Sequence, residues 1–212
     1  PMLVDVRSKG TATRIEGPLL FLRRTVNAGL NDAVEVIDAQ GRKRLGRIAT
    51  LDEDSMIIEV LESTSGLSLA DTTVRFMGEA LHFGVGPDLL GRILDGVGRP
   101  LDGGPPVSST RHLRIDGLAI NPAAREYPRD FIETGISSID LMNSLVRGQK
   151  LPIFSASGLP HNRLAAQIVR QARLPGEASN FAIVFAAMGV SYTDARFFRE
   201  SFSESGVLGN VV

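Results

Sequence analysis

The stretch Leu151-Pro152-Ile153-Phe154-Ser155-Ala156-Ser157-Gly158-Leu159-Pro160-His161-Asn162, followed by Arg163–Arg173, decides how the second half of this chain is read. An apolar run of strand length leads into a short polar loop. The loop leads into a segment whose Leu164, Ala165, Ile168, Val169 and Ala172 recur at three- and four-residue spacing, the signature of an amphipathic helix. Strand, loop and helix in this order form the setting of a phosphate-binding loop. The residues themselves do not form a working one. A functional loop reads Gly-x-x-x-x-Gly-Lys-Ser/Thr: glycines turn backbone N–H groups toward the phosphates, the Lys reaches the β- and γ-phosphates, and the hydroxyl holds magnesium. Here Ser155 stands at the first glycine position and Pro160, which has no N–H, at the second. His161 replaces the Lys, and Asn162, a residue able to cap the helix, replaces the hydroxyl. Gly158 is the one glycine left inside the loop. On its own this stretch is equally compatible with an ordinary turn between a strand and a helix.

Outward from the loop the pattern stays α/β. Ser137–Leu145 reads as a short helix and Leu151–Ser155 as a strand. Phe181–Ala187 is a continuous apolar run, as in a parallel strand covered on both faces. Ser191–Ser205 reads as a helix with Ser191 and Asp194 at capping-box spacing and Ala195, Phe198 and Phe202 on its apolar face. Val207–Val212 approaches a further strand. This alternation predicts a parallel sheet with covering helices. Two or three strands are few for such a sheet, and the expectation is that the native gene product runs beyond Val212.

Residues 11–76 carry a different signal. Short apolar stretches recur between turn residues: Thr11–Ile15 and Leu19–Arg23 around Gly17-Pro18, then Val34 and Val36 in alternation with polar neighbours. Arg44–Leu51 follows Gln40-Gly41, Met56–Leu61 follows the acidic turn at Asp52–Ser55, and Thr73–Phe76 closes the set. Five or six short strands predict a small closed barrel, a form that leaves no sheet edge exposed. Between the two halves lies a stretch dense in glycine and proline, including Gly84, Gly86, Pro87, Gly96, Gly98, Pro100 and Pro105, with a second Pro-containing segment at Asn121–Pro128. The expected organisation is a barrel over residues 1–80, a connector over 81–130, and the beginning of a nucleotide-binding-type α/β domain over 131–212.

Composition narrows the function classes. The 212 residues are 43% hydrophobic and 22% charged, ordinary for a folded protein. A net charge of −1 provides no broad basic field for a nucleic-acid backbone. With no cysteine, disulfides, thiolate metal sites and a Cys nucleophile are excluded. No apolar run reaches the roughly 18–20 residues that span a bilayer, and Pro1–Asp5 lacks a secretory pattern. His82, His112 and His161 lack paired ligand spacing, so no metal site is expected. Gly84-x-Gly86 and Gly96-x-Gly98 do not complete a dinucleotide fingerprint. Ser155 and Ser157 near His161 do not form a nucleophile elbow. Arg163, Arg170 and Arg173 read as solvated helix arginines, and Phe197, Phe198 and Phe202 as core.

Three runs together resolve the ambiguity of the loop. They are Thr134–Asp140, Leu145–Phe154 continuing into Ser157–Asn162, and Phe185-Ala186-Ala187-Met188-Gly189. With the barrel segment Gly17–Leu20 and the joint segments Gly84–Arg92 and Gly96–Asp102, they resemble the non-catalytic B subunits of V/A-type rotary ATPases over nearly the whole chain. In catalytic relatives the strand after the loop helix ends in Gly-Glu-Arg, whose Glu polarises the attacking water. Here Val190 stands at the Glu position, and valine neither accepts a proton nor orients water. The resemblance implies a non-catalytic, regulatory and structural role in a proton- or sodium-translocating rotary ATP synthase/ATPase. It implies an alternating ring with catalytic A subunits, contacts with central and peripheral stalk subunits, and peripheral attachment at the cytoplasmic face of a membrane through the complex alone. It implies no cofactor of this chain's own, with ATP or ADP and magnesium held at the interface with the catalytic subunit. The family's arginine finger lies downstream of residue 212 and maps onto no Arg of this chain. The rival readings are a nucleotide hydrolase with a divergent phosphate loop and a barrel-based nucleic-acid-binding module.

Overall fold

A computed structural model describes residues 6–9, 12–117, 119, 121–127, 129–176 and 181–212. Pro1–Asp5, Thr11 and Pro128, which figure in the sequence expectations, lie outside the described residues. The chain divides into two compact units. One holds the chain up to Gly86 with Leu94–Arg99 and Pro106–Leu118; the other holds Pro87–Ile93, Pro100–Pro105 and Ala119–Val212.

The first unit is built on a seven-stranded sheet. Its strands are β1 (Val6–Lys9), β2 (Ala12–Glu16), β3 (Leu19–Arg23), β4 (Asp32–Ile37), β5 (Lys43–Leu51), β6 (Ser55–Val60) and β7 (Thr73–Ala80). They lie in the order β1-β7-β4-β5-β6-β3-β2, and every pairing is antiparallel. Side chains alternate across a strand, so each strand sends one set inward. Leu20 and Leu22 from β3, Val34 and Val36 from β4, Ile48 from β5, Met56, Ile58 and Val60 from β6, and Val74 and Phe76 from β7 meet in a single buried cluster. One face of one sheet can form a single cluster only by curling around it, which is the barrel expected from the sequence. Among the described residues no ladder pairs β1 with β2.

Three irregularities reset the alternation, the first between Ala12 and Arg14 of β2. Ala33 and Val34 are buried in succession on β4, where the register against β7 shifts between Asp32 and Val34. On β5 a shift between Ile48 and Thr50 turns Ala49 and Thr50 outward. Each is a bulge, which inserts a residue and sharpens the bend of a curling sheet. Gly46 on β5 is required by crowding: a Cβ there would stand 3.0 Å from the Glu59 carbonyl oxygen and 3.1 Å from Ile58 and Val34 side-chain carbons.

The inward alternation of β5 also places Arg44, which is 8% exposed, at the end of the core. Its guanidinium reaches Asp38 Oδ2 at 3.1 Å and the Ser65 carbonyl at 3.0 Å. Arg42 Nε donates to the same Asp38 oxygen at 2.7 Å, while the N–H groups of Gln40 and Arg42 donate to Oδ1. Glu62 extends the network, accepting from Leu45 N and from both terminal nitrogens of Arg99. The Gly/Pro-rich stretch therefore carries structure of its own. The turn at Asp95–Arg99 is strapped to the barrel, and β8 (His82–Val85) pairs with β9 (Arg111–Arg114) in a two-stranded antiparallel sheet.

In the second unit α1 spans Ser137–Met142, α2 His161–Gln171 and α3 Tyr192–Glu204. Helices α1 and α2 end earlier than the apolar spacing indicates. Asn143 caps α1, and Ser144 takes a positive φ of 44°. After α2, the backbone of Arg173 exchanges two hydrogen bonds with Glu133, at 2.9 and 3.0 Å, an antiparallel bridge incompatible with a continuing helix. The two expected strands differ. Phe181–Ala187 is reduced to a parallel bridge between Ile183 and Val211, supported by Phe185 N–H to the Val212 carbonyl at 2.8 Å. Leu151–Ser155 is not a strand among the described residues, because it meets no neighbouring strand to share a ladder.

Asp38 makes this fold acid-sensitive. Burial alone raises its carboxyl, but the Arg42 N–H, the guanidinium groups of Arg42 and Arg44, and the Gln40 N–H outweigh burial and hold it at about 2. A carboxyl depressed in the folded state contributes stability that is present above its unfolded value of about 4 and lost as pH falls through the folded value. The urea midpoint of the barrel unit, followed by hydrogen exchange of β4 and β5 amides, is expected to fall between about pH 4 and pH 2. Asp38→Asn is expected to lower the midpoint at neutral pH and flatten this acid limb.

Candidate functional site

The loop from Ser155 to Asn162 is held by α2 and by what α2 packs against. Ala166, only 1% exposed, is the fully buried residue of α2, and it joins Phe198 and Phe202 of α3 and Val211 in one cluster. The spacing rule places the apolar face one residue away from Ala166. The absence of bulk at Ala166 is what lets α3 lie against it. Phe185 enters the same cluster, 4.6 Å from the Phe198 ring and edge-on to Phe202 at 5.1 Å. Aromatic pairs in such tilted and T-shaped arrangements add about 0.5–1.5 kcal/mol beyond burial. The far end of α2 is tied by the Arg173 guanidinium, which forks onto the Glu133 carboxylate at 2.7 and 2.8 Å. Arg173 is thus exposed, as expected, but it lies beyond the helix end and pairs with Glu133. Beside it, buried Thr134 donates its N–H and hydroxyl to Asp140 Oδ1, and Gly135 N–H donates to Oδ2. The Thr134 and Gly135 donors hold the Asp140 carboxyl below its ordinary value.

Within the loop, Gly158 turns the chain at φ 84°, a left-handed conformation that disfavours a side chain. Pro160 sits at the helix entrance, and no side chain caps the helix. Asn162 is therefore not the cap. His161 Nδ1 lies 3.0 Å from the Leu159 carbonyl oxygen and 3.0 Å from Ser155 Oγ. A carbonyl only accepts, so the proton resides on Nδ1 and the His161 ring is turned back onto its own loop. Asn162 Nδ2 donates to Asp194 Oδ1 at 2.7 Å. Asp194 lies in the first turn of α3, where the Ser191 hydroxyl caps the Asp194 N–H at 3.1 Å and donates to Oδ2 at 2.7 Å. Val190, which is 41% exposed, immediately precedes that cap.

The structure thus brings Ser155 to His161, and links Asn162 to the α3 start that follows Val190. These side chains do not reproduce the lysine and the magnesium-binding hydroxyl of a working loop. Pro160 offers no N–H, the Nδ1 proton of His161 is taken by the loop, and Asn162 presents its donor end, not a lone pair, to the neighbouring carboxylate. A cavity of about 220 Å³ in this unit lies elsewhere, lined by Val169, Arg173, Phe181, Ile183, Val207 and Val211 among others. Asp194 is the site residue that sequence reasoning passed over. Its spacing from Ser191 marks a helix start, but its bond to Asn162 depends on how α2 and α3 pack.

Residues 12–78 match the family model described as the beta-barrel domain of the ATP synthase alpha/beta family, and residues 135–212 match that family's nucleotide-binding domain. The chain belongs to the ATP synthase alpha/beta family. Among its similar relatives is the B subunit of the A-type ATP synthase of Methanopyrus kandleri, 53% identical over 202 residues, which cover 95% of this chain and 20% of that protein. The V-type ATP synthase beta chain of Nitrosococcus oceani is 53% identical over 95% of this chain and 42% of its own length. The B subunit of the A-type ATP synthase of Aeropyrum pernix is 49% identical over 99% of this chain and 45% of its own length. The chain spans less than half the length of each of these relatives.

An amide donating to a carboxylate is a charge-assisted bond, and its loss is expected to matter. Asn162→Ala is expected to destabilise the second unit by about 1.5 kcal/mol, and Asp194→Ala, which also removes the partner of Ser191, by about 2 kcal/mol. The double variant should fall short of the sum by about 1 kcal/mol, the coupling expected of residues in direct contact. Hydrogen exchange of α3 amides measures all three.

Proposed function

We propose that this chain forms part of the non-catalytic B subunit of a V/A-type rotary ATP synthase/ATPase. In this reading the protein stands beside a catalytic A subunit in an alternating ring and helps complete the catalytic site there. The observation that carries the reading is the state of the loop. The side chains at the positions that a working loop aims at phosphate or magnesium are replaced and turned to internal partners, Ser155 and His161 to each other and Asn162 to Asp194, and Pro160 carries no donor. Val190 adds nothing that orients water. The names of the similar relatives support the same assignment.

On this reading the chain requires no cofactor of its own. ATP or ADP with magnesium binds at the interface with the catalytic subunit, and the coupled ion is a proton or sodium. Central and peripheral stalk subunits are the other partners. Membrane attachment in this reading is through the complex, at its cytoplasmic face; among the described residues no helix is long and apolar enough to cross a membrane. What this chain contributes is rigidity: Asn162 and Asp194 tie the start of α2 directly to the start of α3.

Steady-state ATP hydrolysis tests the reading. The full-length protein alone is expected to show no turnover, and activity is expected only after addition of the catalytic subunit. Turnover by the isolated protein that His161→Ala abolishes would overturn it in favour of a hydrolase with a divergent loop. Salt-dependent RNA binding by the barrel would favour a nucleic-acid module.

A further inference from the structure

The contact between Asn162 and Asp194 has chemistry beyond helix packing, provided residues 155–162 occupy a phosphate-loop position as read above. In a working loop the residue at position 162 is a Ser or Thr whose oxygen ligates magnesium. Magnesium in such sites is completed by one or two carboxylates and waters, with metal–oxygen distances of about 2.0–2.1 Å. A carboxylate does stand at this place, since Asp194 Oδ1 lies 2.7 Å from the Asn162 side chain. A carboxylate oxygen only accepts, so the Asn162 atom facing it is the amide nitrogen. The second oxygen of Asp194 receives the Ser191 hydroxyl at 2.7 Å. Each oxygen therefore already accepts a hydrogen bond, and a cation approaching from the side of Asn162 would face an N–H hydrogen where a working loop presents a hydroxyl oxygen.

We propose that Asn162 is a cation-excluding residue, whose amide N–H stands in for a divalent metal ion at the Asp194 carboxylate and lets the start of α3 close on the start of α2 without metal. Side-chain length is part of the device. Asn reaches far enough to touch Asp194 directly, whereas the shorter Ser leaves an oxygen-to-oxygen gap, which a small hydrated cation bridges. Asp194 is then retained as an internal acceptor for Asn162 and Ser191.

The test uses Mn2+ as the probe, without nucleotide, on the full-length protein. Wild type, Asn162→Ser, Asn162→Thr and the double variant Asn162→Ser/Asp194→Asn are titrated calorimetrically, and hydrogen exchange of α3 amides is measured with Mn2+ and with EDTA. Wild type is expected to show no saturable Mn2+ binding and no effect of EDTA. Asn162→Ser and Asn162→Thr are expected to bind Mn2+ with a dissociation constant of about 0.1–1 mM, as in weak oxygen-ligand sites, with α3 protection rising on binding. The double variant is expected to lose that binding. Equal binding by wild type, or no binding by either single variant while α3 stays protected, overturns the proposal. Loss of α3 protection in both variants without recovery in Mn2+ overturns it too, since Asn162 would then be a packing residue with no metal-like role. A parallel assay of Mg-ATP hydrolysis separates the two levels. Wild-type turnover that His161→Ala abolishes defeats the non-catalytic reading, whereas failure of the Mn2+ arm alone leaves that reading intact.

Discussion

The second unit depends on how closely α2 and α3 approach each other. The residue that sets this is Ala166, which has almost no side chain. Against it lie Phe198 and Phe202, with Phe185 inserted beside them. Any larger side chain at Ala166 pushes α3 outward, and core overpacking of this kind costs about 1–3 kcal/mol. The close approach has a polar counterpart at the helix starts. It brings Asp194 within 2.7 Å of Asn162, so apolar packing and polar closure of the loop reinforce one another.

The barrel follows a comparable logic with different parts. Its core is a single cluster drawn from five strands, and the bulges let one sheet curl enough to enclose it. The inward phase of β5 commits one charged residue, Arg44, to the interior. That commitment is tolerable because Asp38 lies at the same end, and because Asp38 is itself met by two backbone N–H groups and a second guanidinium. A buried charge left without such partners would be strongly destabilising.

Much of this was legible in the sequence, and the exceptions have a common cause. Short apolar stretches between turn residues located β2, β3, β5 and β6 to within a residue and the beginning of β7, which runs on from Phe76 to Ala80, and Ser191 marked the start of α3. The degenerate loop could be read position by position against the requirements of phosphate binding. What escaped were pairings decided by distant partners. Val6–Lys9 is a strand because β7 accepts it, and β8 and β9 pair across a Gly/Pro-rich stretch whose composition suggested only a connector. Arg173 looked like a helix residue, yet it terminates α2 by bridging to Glu133, forty residues earlier. At the site, the chemical identity of Asn162 was visible while its partner was not, because no spacing rule connects residue 162 to residue 194.

The internal satisfaction of the loop bears on how such a protein can change over evolutionary time. Ser155, Pro160, His161 and Asn162 each replace a different part of a working phosphate loop, and the side chains of three of them are held internally, Ser155 and His161 by one another and Asn162 by Asp194. No single substitution restores function: a lysine at 161 still meets a prolyl nitrogen with no hydrogen, and a hydroxyl at 162 still lacks a glycine before it. Each reversion alone disrupts an existing contact before any ligand can compensate. A return to a working phosphate loop would thus need several substitutions together.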